Sequence, residues 1–121
     1  MGFRELIKQV QLNSGFSDEE SRDALEMMVE SLSVHLGENE RKDFASQLPH
    51  ELQDLALSVL PTEETAHQNM IEQFMEAEEI DEPRAKKQIF AAWEALKEAI
   101  SSGQIRQIKT QLPGDTALLL H

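Results

Sequence analysis

The chain has no cysteine and no tyrosine, only five glycines and four prolines in 121 residues, and no apolar run approaching bilayer length. The missing cysteine removes disulfides, thiolate zinc sites and a cysteine nucleophile together, and it suits a reducing compartment. The isolated glycines form neither a Gly-x-Gly-x-x-Gly turn nor a Walker A loop, so phosphate-cradling nucleotide chemistry has no framework. No Gly-x-Ser-x-Gly elbow presents a serine nucleophile. A membrane span needs about 20 apolar residues, and none is expected here. The first residues run straight into an amphipathic pattern without a signal core, and Leu6 stands where myristoylation requires Ser or Thr. These readings point to a cytoplasmic protein. Basic residues are scarce as well: 11 Lys and Arg face 23 Asp and Glu, for a net charge of −12. Such a chain is repelled by phosphate backbones and by anionic membranes, which argues against nucleic acid as a partner and against membrane association.

What is present is a repeat. A shift of 64 residues lays residues 1–57 on residues 65–121 without a gap, and Gln47-Leu48-Pro49 falls on Gln111-Leu112-Pro113. Only eight of the 57 pairs are identical, so the weight rests on the apolar register. Leu6 pairs with Met70, Val10 with Phe74, Phe16 with Ile80, Leu25 with Ile89, Val29 with Trp93, and Phe44 with Ile108. Caps coincide too, Ser17 with Asp81. A lone module of about 60 residues would bury only roughly 60% of its unfolded surface, so the two copies are expected to share a core.

Each copy reads as four helices. A short one spans about residues 3–12 and again 66–78. A long one opens at the capping box Ser17-Asp18-Glu19-Glu20, where hydroxyl and carboxylate satisfy each other's amides, and again at Asp81 with Pro83 in the first turn. Its apolar residues recur at Leu25, Met28, Val29, Leu32 and Leu36, and at Ile89, Ala92, Trp93, Leu96 and Ile100, a helical period. Gly37 and Gly103 are expected as left-handed C-caps. A third helix passes through Phe44 and Leu48, or Ile105 and Ile108, until Pro49 or Pro113 breaks it. The fourth carries Leu52 and Leu55 and ends near Leu60. Pro61-Thr62-Glu63-Glu64 joins the copies. No segment alternates with period two. The expected fold is all-α: two tandem four-helix modules, residues 1–57 and 65–121, packed with pseudo-twofold symmetry into one helical domain over residues 1–121.

The capped amphipathic helix, the small-residue turn, the short helix ending in Gln-Leu-Pro and the following leucine helix, all given twice, resemble a bacterial family known as domain of unknown function 2267. The resemblance covers nearly the whole chain. It implies a helical bacterial cytosolic protein of unestablished activity, and it supplies no catalytic residues.

Candidate chemistry is thin. Glu64 and His67 have the Glu-x-x-His spacing of carboxylate-bridged di-iron bundles, but such a site needs a second pair, and no other histidine follows Glu at that spacing. They remain weak metal candidates, and no cofactor is expected. His35 lies on the core-facing edge of the long helix and reads as a boundary histidine whose titration near neutrality could tune a pH response. Charge is uneven. Residues 63–82 hold eight acids and no base, whereas from Pro83 onward six bases meet three acids. Attraction between these acidic and basic stretches is the simplest account. Met27, Phe90, Ile105 and Leu118 fall off the core stripe and are the candidate interface residues, although a wide apolar stripe is normal for a packed helix. The leading reading is a non-catalytic protein-interaction or scaffold module whose partner is an unknown protein or a second copy. A small nucleic-acid-binding regulator using the basic face from Arg84 to Lys109 is one alternative. A ligand- or metal-dependent enzyme with a site between the halves is the other.

Overall fold

Side-chain caps and proline breaks set where the helices begin. The computed structural model describes residues 1–59 and 69–120. Among these residues there are eight helices and no strand: α1 Phe3–Ser14, α2 Asp18–Ser33, α3 Glu38–Ser46, α4 His50–Leu57, α5 Met70–Glu78, α6 Glu82–Ala99, α7 Ser102–Gln111 and α8 Gly114–Leu119. The all-α expectation holds. The joining segment 61–64, residues 66–68 of the expected fifth helix, and Leu60 lie outside the described residues.

Four starts are capped by side chains. Ser17 Oγ accepts the Glu20 amide at 3.1 Å, Asn69 Oδ1 that of Glu72 at 2.8 Å, Asp81 Oδ1 that of Arg84 at 3.0 Å, and Ser101 Oγ that of Gln104 at 3.1 Å. Each bond satisfies an amide that the helix cannot, at about 1 kcal/mol apiece. The predicted capping box is only half formed, because the Glu20 carboxylate turns away to bind Arg84. The predicted glycine C-caps are also corrected. Gly37 is extended (φ −66°) and caps the start of α3, and Gly103 lies in the first turn of α7. A left-handed residue is not needed after α2, since its end tightens through His35 N to Leu32 O and Leu36 N to Ser33 O, both 3.1 Å. The left-handed residues follow α1 and α5: Gly15 at φ 78° and Glu79 at φ 54°.

Leu6, Ile7 and Val10 of α1, Leu25, Met28, Val29 and Leu32 of α2, Met70 and Phe74 of α5, and Ile89, Trp93 and Leu96 of α6 are buried in one cluster with Phe44, Leu52 and Ile108. Each such fully buried aliphatic side chain contributes about 1.5–3 kcal/mol of transfer free energy. The long helices α2 and α6 pack on each other, with α1 laid against both.

Both Gln-Leu-Pro glutamines act at a distance. Gln47 Oε1 accepts the Ser101 amide at 2.7 Å, at the start of α7, while its Nε2 donates to Gln104 Oε1 at 3.1 Å. Gln111 Oε1 accepts the Gly37 amide at 3.4 Å, at the start of α3. Each glutamine thus supplies an acceptor for a helix remote in sequence. Gln47→Ala is expected to lower unfolding stability by about 1 kcal/mol in urea titrations, and Gln111→Ala by less, because its single bond is longer. Glu79→Gly should raise stability by about 0.5–1 kcal/mol in the same measurement, since glycine occupies the left-handed region without the Cβ penalty.

Candidate functional site

Helices α1 and α5 flank the long pair but do not seal against it alike. Helix α1 lies closely on α6, and Asn13 Nδ2 reaches the Ala91 carbonyl at 3.4 Å. There α6 offers the small buried residues Ala91, Ala92 and Ala95. The residues 64 positions earlier on α2 are Met27, Met28 and Ser31. Helix α5 meets α2 more sparsely. Larger side chains keep helix axes further apart, and a groove of about 350 Å³ opens between α2 and α5. Met27, Glu30, Ser31 and Val34 form one wall, and Gln73, Glu76 and Ala77 the other. Between the walls Ser31 Oγ donates to Gln73 Oε1, both side chains almost fully buried.

A second depression of about 230 Å³ opens beside the first turns of α2 and the end of α5, among Glu19, Glu20, Asp23 and Glu78, with Gln88 of α6. Arg84 binds both Glu20 oxygens, Nε at 2.8 Å and Nη2 at 2.5 Å, and lies 4.5 Å above the Phe16 ring. Gln88 Nε2 donates to the same carboxylate at 3.0 Å. The hydrogen bonds from Arg84 hold the Glu20 carboxyl below its ordinary value despite burial. Its neighbours behave in the opposite sense. Burial raises Glu78, and the charges of Asp23, Glu20, Glu26 and Glu30 raise it further. Burial also raises Glu30, with Glu26 adding to the effect. Among the described residues neither depression is lined by a lysine or arginine. The α2–α5 seam therefore sets carboxylate against carboxylate around a partly apolar floor.

The model of the family described as "Uncharacterized conserved protein (DUF2267)" matches residues 3–119. The chain belongs to this family. No curated protein matches it.

In this DUF2267 protein the residues singled out by sequence are scattered. Met27 is half-buried in the groove wall. Phe90 on α6 is 57% exposed. Leu118 is 78% exposed and borders a separate depression with Ile71, Lys86 and Leu119. Ile105 is packed against the core. Glu64 and His67 lie outside the described residues. Among the described residues no three His, Asp or Glu form a group able to hold a metal ion, and no helix is long and apolar enough to cross a membrane. His35 is half-buried, and its Nε2 is enclosed without a hydrogen-bond partner among the described residues. Burial lowers its pKa, against the pull of Asp115. Arg84 of the basic stretch pairs with Glu20 of α2, and the charge of Asp81 in the acidic stretch acts on it as well. Of the interface candidates only Met27 marked the groove. The other signal was the replacement of alanines on one long helix by methionine and serine on the other.

The raised Glu78 pKa fixes a sign. The folded chain holds that proton more tightly than the unfolded one, so stability gained by protonation is present at low pH and lost as pH rises from 4.5 through the raised value. Glu78→Gln is expected to stabilise the protein at neutral pH by less than about 1 kcal/mol, the side chain being partly screened by solvent. The gain should shrink as pH falls and the native carboxyl itself takes up a proton; urea melts from neutral pH down to 4.5 measure it.

Proposed function

We propose that this protein is a non-catalytic interaction module of the bacterial cytoplasm. It is built from two four-helix units, residues 1–57 and 65–121, that pack about a pseudo-twofold axis as one domain. Four observations support the twofold arrangement. Helices α2 and α6, α3 and α7, and α4 and α8 begin 64 residues apart, as do the left-handed residues Gly15 and Glu79. Gln47 and Gln111 make reciprocal bonds to Ser101 and Gly37, again 64 apart. Glu20 and Arg84 are the same position of the two units and touch each other, as self-equivalent residues do beside a twofold axis.

The open α2–α5 seam carries the functional reading. Where α1 closes on α6, the related pair leaves Met27, Val34 and Ala77 accessible beneath a rim of carboxylates. Such a surface suits a partner that covers the floor and answers the charge. Core and caps recur in both units, whereas none of the histidines does, and of the groove carboxylates only Glu30 has an acidic counterpart, Glu94. Binding of nucleic acid through the Arg84–Lys109 face has less support, since Arg84 is engaged by Glu20 and the net charge of −12 repels phosphates.

In-cell photocrosslinking tests the reading. A photoreactive residue at Met27 should give a discrete adduct with one protein, identified by mass spectrometry, and the same residue at exposed Glu51 on α4 should not. Absence of any adduct at Met27, or the same adducts from both positions, would remove the interaction role.

A further inference from the structure

We infer that the α2–α5 seam docks a basic amphipathic helix from a partner protein, laid along α2 between Glu19 and Val34. This inference rests on the interaction-module reading and names the partner's chemistry. Along α2, Glu19, Asp23, Met27, Glu30 and Val34 recur every three or four residues, so they share one face. The distance from Glu19 to Val34 is about 22 Å at 1.5 Å per residue, the length of a helix of about four turns. Both depressions lie on this face, the acidic one towards the start of α2 and the more apolar one towards its end.

Three features select the occupant. The apolar floor of Met27, Val34 and Ala77 calls for side chains projecting at helical spacing, the pattern by which an amphipathic helix anchors in a groove. The rim of Glu19, Asp23, Glu30 and Glu78 calls for lysine or arginine on the flanks of that helix. Gln88 supplies the third. It is 2% exposed, its Oε1 has no hydrogen-bond partner among the described residues, and it borders the acidic depression, where a donor from a guanidinium or ammonium is the missing complement. A second copy of the chain is the poorer fit, because two molecules of charge −12 repel while a basic partner is drawn in. A small polycation would answer the rim and leave the floor uncovered.

The test uses the full chain and a fluorescein-labelled synthetic helix of about 15 residues with leucines on one face and lysines elsewhere. Two control peptides accompany it: a scramble of the same composition, and a version with glutamate for lysine. By fluorescence anisotropy the amphipathic lysine helix should bind at micromolar concentration, the scramble about tenfold more weakly or worse, and the glutamate helix not at all. Glu30→Lys and Met27→Ser should each weaken binding about tenfold, with circular dichroism confirming that both variants fold. Glu51→Lys, which borders neither depression, should change it by less than about twofold. Backbone amide shift changes on adding the unlabelled peptide should concentrate on α2 and α5.

Equal binding of the scramble, or equal loss from Glu51→Lys, would reduce the effect to general attraction and overturn the inference. So would competition by spermine with no effect of Met27→Ser, the mark of a small-cation site. A dimer in sedimentation velocity that Met27→Ser dissociates would assign the seam to a second copy. If Met27 crosslinks a protein in cells and the lysine helix does not bind, the interaction reading stands and this docking mode falls.

Discussion

Helix α6 carries Ala85, Ala91, Ala92 and Ala95 in its buried surface, and these small side chains govern how closely its neighbours approach. Helix axes pack about 8–10 Å apart according to the bulk between them, and alanine permits the lower end of that range. Helix α1 exploits it, close enough for Asn13 to reach a backbone carbonyl of α6. Helix α2 has methionines and a serine in the corresponding stretch, so α5 cannot close on it in the same way. The Ser31–Gln73 bond supplies a polar tie where interdigitated apolar packing would otherwise stand. One difference in side-chain volume therefore yields a sealed contact on one side of the long pair and an open seam on the other. Arg84 and Gln88 hold α6 to the start of α2 through Glu20, which keeps the long helices in register while the seam stays open.

Local chemistry made most of the fold legible in the sequence. Ser17, Asp81 and the prolines act through neighbouring amides, and the three-and-four spacing of Leu25, Val29 and Leu32 reports burial directly. The failures came where a residue had two competing partners. Glu20 can cap its own helix or bind Arg84, and the bidentate charged bond wins over a neutral amide. Gly37 has the freedom for a left-handed turn, but α2 ends with right-handed residues and never requires it. The roles of Gln47 and Gln111 were invisible because their partners lie 54 and 74 residues away. The site was less legible than the fold. Met27 stood out by falling off the stripe, whereas the groove itself depends on the spacing of two helices, which no single residue encodes. Phe90 and Leu118 stood out in the same way, yet neither borders it.

The seam is costly in isolation, and that cost ties stability to binding. Glu20, Asp23, Glu26 and Glu30 from α2 face Glu78 from α5 in partly desolvated surroundings, with Arg84 answering only Glu20. Repulsion of this kind can be relieved by a proton or by a partner's cation. Protons act on Glu78 and Glu30, whose pKa values burial has raised, so mild acidification relieves this repulsion, whereas stronger acid discharges the Glu20 carboxylate that binds Arg84. A docked basic helix needs the same carboxylates ionised. By linkage each bound proton must then weaken the partner's hold by the factor by which the partner lowers that proton's affinity. The arrangement that destabilises the unbound chain at neutral pH is thus the one that gives a basic partner its advantage there.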